Sequence, residues 1–148
     1  MLNFRMIEYG SCDYHDMVAL RDTVLRKPLG LTFSKEYLQQ EINDILIGGF
    51  ITTPEETFLA GCCILSPVDE DTLQLRQMAV SPRLQGQGIG SEIITFAEQQ
   101  AINNGFNILM MHARKEATGF YLKLGYQICG DEFTEVGIPH YEMRKNLE

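Results

Sequence analysis

Three glycines at alternating positions, Gly86, Gly88 and Gly90, lie in the stretch QGQGIGS between an apolar run and a helical pattern. The first turn of a helix has backbone N–H groups without internal partners and the positive end of the helix dipole. Glycine lets an anion approach those groups without a Cβ in the way. Arg83 and Ser91 add a cation and a hydroxyl donor. The stretch therefore predicts either a diphosphate site or a tight strand-to-helix turn that merely needs glycine.

The spacing of these glycines argues against two common nucleotide sites. A P-loop requires a lysine after its last glycine, but Ser91 follows Gly90. A dinucleotide fingerprint needs a glycine at position 91 and normally opens the first strand–helix unit of its domain. Here the glycines lie past the middle of the 148-residue chain.

The elements that would position these glycines follow from hydrophobic periodicity. Strands are predicted at 3–9, 44–53, 57–67, 72–80, 106–113, 126–137 and 140–146. Helices are predicted at 13–27, 33–44, 90–105 and 117–125, with Ser34 as the N-cap of the second. This order indicates a mixed α/β fold, and no linker or repeat divides the single domain predicted over residues 1–148.

Two local patterns on the strands give further expectations. Strict alternation on strand 72–80 places Gln77 and Ala79 on the face of Leu73 and Leu75. On strand 57–67, Cys62 and Cys63 should point to opposite faces.

Composition limits the class of protein. A net charge of −8 disfavours nucleic acid and anionic membranes as partners. No apolar run is long enough for a membrane span, and the N-terminus lacks the apolar region of a signal peptide. The four cysteines include no C-x-x-C pair and are expected to be buried free thiols, which fits a cytoplasmic location. We expect no metal site.

Two motifs together resemble a known family. The stretch RQMAVSPRLQGQGIGSEII resembles motif A of the GNAT superfamily of acetyl-CoA-dependent N-acetyltransferases, with Gln85, Gly88 and Gly90 at its fixed positions. The stretch ATGFYLKLGY resembles the family's motif B, although Tyr126 stands where the family usually has Phe. The motifs are in order and separated by one helix and one strand. A weaker likeness, in EVGIPHYEM, is to the ElaA-like branch.

The resemblance implies a fold and a co-substrate. The expected fold is the GNAT acyl-CoA N-acyltransferase fold, a mixed, mostly antiparallel sheet flanked by helices, with its fourth and fifth strands, 72–80 and 107–113, splayed apart. Acetyl-CoA would place its diphosphate on the amides of residues 85–90 and its pantetheine arm beside the fourth strand. The implied cofactor-binding residues are Met78, Ala79, Val80, Arg83, Gln85, Gly86, Gln87, Gly88, Ile89, Gly90 and Ser91.

The implied reaction is direct acetyl transfer to an amine, which needs a base for the amine and an acid for the departing thiolate. Tyr121 matches the position of the family's usual acid. Many relatives carry a glutamate base on the fourth strand, but LQLRQMAV contains no acid. His112, His140 and a chain of water molecules stay open as the base. An acyl-cysteine at Cys62 or Cys63 is not needed for direct transfer.

The acceptor is expected to be a primary amine of a small molecule or protein. Arg21, Arg26 and Lys27 form a basic patch that reads as a solvated helix face, unless Arg26 faces the cleft and binds a carboxylate of the acceptor. Otherwise the acidic surroundings favour a polyamine. The alternative to an enzyme is a non-catalytic acyl-CoA sensor that keeps motif A. Homodimers are common among relatives, so a homodimer is a further possibility.

Overall fold

Seven strands form one mixed sheet in the computed structural model, which describes residues 2–147; Met1 and Glu148 of the predicted 1–148 domain lie outside the described residues. The strands are β1 Leu2–Met6, β2 Ile45–Thr52, β3 Thr57–Pro67, β4 Thr72–Val80, β5 Ile108–Arg114, β6 Gln127–Glu135 and β7 Ile138–Asn146. Their order in the sheet is β1-β2-β3-β4-β5-β7-β6. Within the described sheet, β4 and β5 pair in parallel and the other neighbours are antiparallel, which confirms the predicted fold class.

The helices occur where the sequence predicts them. They are α1 Cys12–Arg21, α2 Lys35–Gln39, α3 Ile89–Asn103 and α4 Thr118–Lys123. Helix α1 continues as a π-helical segment, Asp22–Arg26, and a 3-10 turn, Lys27–Leu29; α2 continues as the 3-10 turn Gln40–Asn43. The Ser34 hydroxyl accepts the N–H of Tyr37 at 3.1 Å, so Ser34 is the N-cap of α2 as predicted.

The two faces of the sheet carry separate apolar clusters. Cys62 and Cys63 on β3 belong to different clusters, as their predicted opposite orientation requires. One cluster packs α3 and Tyr121 of α4 against the sheet, and the other packs α1 and the π-helical segment. Side chains carried by α1 and by α4 therefore approach the sheet from opposite faces.

Strand β4 contains a bulge that the apolar alternation does not reveal. Arg76 and Ala79 pair with β3 residues only two positions apart, so Gln77 and Met78 together oppose Cys63. Gln77 has a φ of 53°, which is the left-handed region that non-glycine residues seldom adopt.

The bulge reverses which side chains face which layer. The prediction that Gln77 and Ala79 share the face of Leu75 is wrong, because the extra residue shifts the alternation by one position. Met78 and Val80 pack with Leu75 on the α3 face, whereas Ala79 packs on the α1 face.

The sheet opens beyond the first half of β4. The parallel pairing with β5 covers Thr72–Leu75 against Ile108–Met111 and then stops. From Arg76 onward β4 pairs with β3 alone, and from His112 onward β5 pairs with β7 alone. This confirms the predicted splaying of the fourth and fifth strands. Backbone groups on the two facing edges lack ladder partners and must find others.

A buried ion pair joins α1 to the turn that follows α2. Arg21 is fully buried, and its Nη1 and Nη2 donate to Oε1 and Oε2 of Glu41 at 2.9 and 2.6 Å. The Tyr14 hydroxyl also donates to Glu41 Oε1, at 2.7 Å. Burial and the Glu41 carboxylate raise the pKa of Tyr14. The prediction that Arg21 lies on a solvated basic face is therefore wrong, although Lys27 is exposed as expected.

The cysteines divide by depth. Cys62 and Cys63 are buried free thiols as predicted, whereas Cys129 is half-buried and Cys12 is exposed at the start of α1. Desolvation by burial raises the pKa of Cys62 to about 12, so this thiol is protonated at neutral pH.

No helix between residues 2 and 147 combines the length and the apolar character needed to cross a bilayer.

The buried pair should dominate the stability of the α1–α2 layer. Breaking a buried ion pair leaves one charge uncompensated and costs about 3–5 kcal/mol. We expect Glu41→Leu to lower the free energy of unfolding by about that amount, and the double variant with Arg21→Met to recover much of it. Urea unfolding measures both changes.

The exposed pair Arg5–Asp13, at 3.1 Å, is the matched control. Asp13→Asn should cost less than about 1 kcal/mol, because exposed ion pairs contribute little. A Glu41→Leu cost no larger than that of Asp13→Asn would contradict the structural role assigned to the buried pair.

Candidate active site

A cleft of about 740 Å³ opens where β4 and β5 separate. It is lined from the α1 side, from both separated strands, from α4 and from the β6–β7 turn. Its lining residues are Val24, Leu25, Arg26, Tyr37, Gln74, Leu75, Arg76, Gln77, Met78, Met111, His112, Ala113, Arg114, Ala117, Tyr121, Glu135, Val136 and His140. The structure therefore brings Tyr121, His112, His140, Met78 and Arg26, all predicted from sequence, into one cavity.

The glycine turn lies where the chain leaves β4 and enters α3. Gly86 and Gly88 have φ angles of 82° and 83°, which L side chains rarely adopt, and a Cβ at either would meet no atom within 4 Å. Glycine is thus required there by backbone conformation, and the space in front of the turn is open. Glu92 N–H donates to the Gly88 carbonyl at 3.2 Å, so the N–H groups of residues 89–91 precede the first helical bond.

The other residues predicted for this site surround the turn. The Gln85 side chain donates to the Val80 carbonyl at 3.1 Å and fastens the turn to the end of β4. Arg83 stacks over the Phe58 ring at 4.8 Å, so its guanidinium is held beside the turn by an aromatic contact. Gln87 is exposed.

The four remaining residues differ in which groups they can offer to a ligand. The side chains of Ile89 and Ala79 are buried, on opposite faces of the sheet, so only their backbone groups are available to a ligand. Gly90 lies within the first turn of α3, and a Cβ there would be 3.5 Å from Phe120 Cζ. The Ser91 carbonyl accepts the Thr95 hydroxyl.

Tyr121 reaches the cleft from α4 and is only 8% exposed. Its ring packs edge-to-face on Phe120 and Tyr126, with centroid distances of 5.0 and 6.1 Å. Desolvation by burial, with a smaller effect of Cys63, raises the pKa of Tyr121 to about 12. The phenol is therefore neutral at physiological pH and carries a proton that it can donate.

A carboxylate that sequence reasoning missed joins the two candidate histidines. Glu135 Oε1 lies 3.0 Å from His112 Nδ1, and Glu135 Oε2 lies 3.8 Å from His140 Nε2. His140 is buried, and its Nδ1 donates to the Ile138 carbonyl at 2.7 Å. The Phe133 ring contacts both imidazoles, at 5.0 Å from His112 and 5.9 Å from His140.

The geometry separates the roles of the two histidines. A Nδ1–H of His112 donating to Glu135 fixes the tautomer that leaves Nε2 as an acceptor, the arrangement of a carboxylate-oriented base. The His112 side chain is 33% exposed and lines the cleft. His140 has one nitrogen committed to the backbone and is shielded.

The α1 side of the cleft carries a guanidinium and a phenol. Arg26 stacks over Phe33, with Cζ 4.6 Å from the ring centroid, and lies 5.8 Å from the Tyr37 ring. The Tyr37 hydroxyl accepts hydrogen bonds from Arg76 Nη2 at 2.5 Å and from Gln77 Nε2 at 2.8 Å. Tyr37 therefore ties α2 to the bulge of β4. Arg26 faces the cleft, which was the condition attached to its predicted role.

No cluster of three or more His, Cys, Asp or Glu side chains suited to a metal ion occurs within residues 2–147.

The sequence matches a known family over most of its length. Residues 31–147 match the family described as acetyltransferase (GNAT) domain. The chain is also 35% identical over 149 residues to the uncharacterized N-acetyltransferase YitI of Bacillus subtilis, covering 96% of this chain and 97% of YitI. The chain therefore belongs to the GNAT acetyltransferase family.

Solved structures share the fold. ElaA of Escherichia coli superposes with a TM-score of 0.80 and 15% identity, covering 99% of this chain and 100% of ElaA. A GNAT family acetyltransferase of Elizabethkingia anophelis with acetyl-CoA bound superposes with a TM-score of 0.70 and 22% identity, covering 98% of this chain and 97% of the other.

The chain spans about half the length of three other Bacillus subtilis relatives that it matches.

The raised pKa of Tyr121 has a consequence for alkaline stability. An unfolded phenol has a pKa of about 10, so above pH 10 the unfolded chain loses this proton before the folded protein does. Stability from the neutral Tyr121 is complete below pH 10 and is lost as pH rises toward 12. At pH 11 the loss should be about 1 kcal/mol.

We therefore expect the free energy of unfolding of the wild-type protein to fall more steeply between pH 10 and 11 than that of Tyr121→Phe. Urea unfolding at pH 8, 10 and 11 measures the two slopes. Equal slopes would show that Tyr121 is not the buried, protonated group described above.

Proposed function

We propose that this protein is an acetyl-CoA-dependent N-acetyltransferase that transfers an acetyl group directly to a primary amine of a small molecule or protein. The observation that supports it is one cleft lined by the unpaired edge of β4 and by a protonated tyrosine, with a glycine turn at a helix N-terminus following the same strand.

The shape and polarity of the site fit acetyl-CoA. The N–H groups of residues 89–91 and the open space before Gly86 and Gly88 suit a diphosphate. The edge of β4 beyond Leu75 has no β5 partner, so backbone groups there can pair with an amide-containing pantetheine arm. When bound, acetyl-CoA would supply a thioester-activated acetyl group.

A backbone N–H would polarise the acetyl carbonyl, and a phenol would protonate the departing thiolate. The bulge leaves Met78 without a β3 partner of its own, so its N–H is the group that can donate to the acetyl carbonyl. Tyr121 donates its proton to the departing thiolate. The side chain of Cys62 is buried and protonated, which favours direct transfer over an acyl-cysteine.

We assign the base to His112, oriented by Glu135. The free Nε2 of His112 accepts a proton from the incoming amine, and Glu135 stabilises the resulting imidazolium. His140 is held beside this pair by the hydrogen bond from its Nδ1 to the Ile138 carbonyl. Glu135 supplies the acidic group that strand β4 lacks.

An acyl-CoA sensor without turnover is the alternative function, because a sensor needs the glycine turn but neither Tyr121 nor the His112–Glu135 pair. The presence of both around one cleft favours the enzyme. A cytoplasmic location and a homodimer stay predictions from the sequence and the family.

The glycine turn gives a test of the diphosphate site. We expect Gly88→Val to weaken CoA binding by tenfold or more, because the side chain would project into the space in front of the helix amides. Isothermal calorimetry with CoA measures the change.

Gly105, at the other end of α3, is a matched control because its φ is 86° and a Cβ there also meets no atom within 4 Å. Gly105→Val carries the same backbone strain and should leave CoA affinity unchanged. Equal CoA affinities in both variants and the wild type would show that the diphosphate does not bind at this turn.

The catalytic assignments predict a loss of turnover without a loss of CoA binding. Tyr121→Phe and His112→Gln should each lower kcat by about 100-fold, since a positioned acid or base typically contributes 10²–10⁴-fold. Glu135→Gln should cause a smaller loss. Thiol release from acetyl-CoA with a panel of amines measures kcat.

Tyr141→Phe is the control for the phenol, because Tyr141 lies on β7 outside the cleft lining. Thermal shifts with CoA and with ATP show whether binding is selective for CoA. CoA binding without thiol release by any amine would support the sensor instead.

A further inference from the structure

We propose that the acceptor amine carries a carboxylate, and that Arg26 and the Tyr37 hydroxyl bind this carboxylate on the α1 side of the cleft. This inference rests on the proposed transferase function, because it names the class of acceptor for the same cavity.

Two arginines lie against one aromatic ring, and only one of them is neutralised. Arg21 and Arg26 each place Cζ 4.6 Å from the Phe33 ring centroid. Arg21 is buried and paired with both carboxylate oxygens of Glu41. Among the described residues, Arg26 has no carboxylate within ion-pair distance, and it faces the cleft.

Stacking on Phe33 prepares Arg26 for a planar anion. Contact with the ring holds the guanidinium plane and leaves its in-plane N–H groups free. A carboxylate accepts two parallel hydrogen bonds from such an edge, which a lysine ammonium cannot supply in the same way. Because Phe33 already holds the guanidinium of Arg26 in place, little side-chain entropy is lost when a carboxylate binds.

Tyr37 has one hydrogen-bonding capacity left, and it is a donor. Its oxygen already accepts hydrogen bonds from Arg76 and Gln77. A phenol oxygen has two lone pairs and one proton, so the remaining group is the O–H donor. A ligand atom that meets Tyr37 in the cleft must therefore be an acceptor, as a carboxylate oxygen is.

The charge of the cleft opposes the charge of the chain. The whole sequence carries a net charge of −8, yet the cleft lining contains Arg26, Arg76 and Arg114 against the single carboxylate of Glu135. Asp44, which lies 3.9 Å from Arg76, is not part of the lining. A polyamine would bring further positive charge to these arginines, whereas an amino acid would bring a carboxylate.

The two halves of such an acceptor would meet complementary groups. Arg26 approaches from the α1 face, and His112 lines the cleft from β5 beside the gap. A carboxylate held at Arg26 and Tyr37 leaves the amino group of the same molecule inside the cleft that His112 and Tyr121 line. An acceptor without the carboxylate would leave the donors of Arg26 and Tyr37 without a ligand partner.

Matched acceptors test the inference directly. Thiol release from acetyl-CoA is measured with a panel of amino acids, with their carboxamides, and with spermidine. For the wild type we expect kcat/KM for the acid to exceed that for its amide by roughly 10- to 100-fold, the range for a charge-assisted hydrogen-bonded pair. In Arg26→Gln the ratio of kcat/KM for the acid to kcat/KM for the amide should fall toward one, because only activity on the acid is lost.

Lys27→Gln is the matched control, since Lys27 is the neighbouring cation, is 66% exposed and does not line the cleft. It should keep the wild-type ratio. Amides or spermidine used as well as acids, or an acid preference that survives Arg26→Gln, would overturn the carboxylate subsite and leave the transferase intact.

A binding measurement separates this inference from the proposed function. Calorimetric titration of the CoA-loaded protein with N-acetyl amino acids reports the carboxylate subsite without any reaction. Binding that Arg26→Gln abolishes, in a protein that releases no thiol with any amine, would keep the subsite and overturn the transferase. No binding to the wild type, together with no preference for acids, would overturn the subsite.

Discussion

The separation of β4 from β5 beyond Leu75 is the constraint on which the rest of the site depends. A sheet normally satisfies its backbone groups by pairing neighbouring strands, and here four parallel pairs are followed by an opening. The bulge at Gln77 accompanies this change, because an extra residue bends and twists the strand that carries it. Strand β4 continues through a short turn into α3, so the glycine turn lies directly after the strand that borders the gap. One interruption in the sheet therefore puts an unpaired strand edge and a helix N-terminus next to each other.

The cleft brings together groups from both faces of the sheet, and these groups differ in how far they are exposed to solvent. Tyr121 arrives with the α3–α4 layer, where burial keeps its phenol protonated. His112 lies on β5 and contacts the half-exposed Glu135, whose side chain is 47% exposed. Arg26 arrives with the α1 layer and has no acidic partner among the described residues. A proton donor, a carboxylate-oriented acceptor and a cation can coexist in one cavity because each belongs to a different element with its own solvation.

The helices, the strands and the glycine turn depend on local residue patterns and could be predicted from the sequence. Features that depend on contacts between distant segments could not. Ser34 and Gly88 act within a few residues of their own position, so their types reveal an N-cap and a left-handed turn. The bulge at Gln77 depends on the register with β3, and strict alternation therefore assigned Ala79 to the wrong face. Glu135 reaches His112 only because β7 lies between β5 and β6, an order that hydrophobic periodicity does not specify.

The buried pair of Arg21 and Glu41 connects these unpredicted features to the site. It holds α1 against the turn after α2, and α2 carries Tyr37, whose hydroxyl accepts from the bulge residue Gln77. The conformation of Gln77, with its φ of 53°, is costly in isolation and persists because surrounding contacts fix it. Arg21 and Arg26 both contact the Phe33 ring. Arg21 stabilises the α1–α2 layer and Arg26 faces the cleft, because Glu41 pairs with Arg21 alone. Packing of the α1–α2 layer thus supports both the bulge that would orient the acetyl carbonyl and the cation that would orient the acceptor.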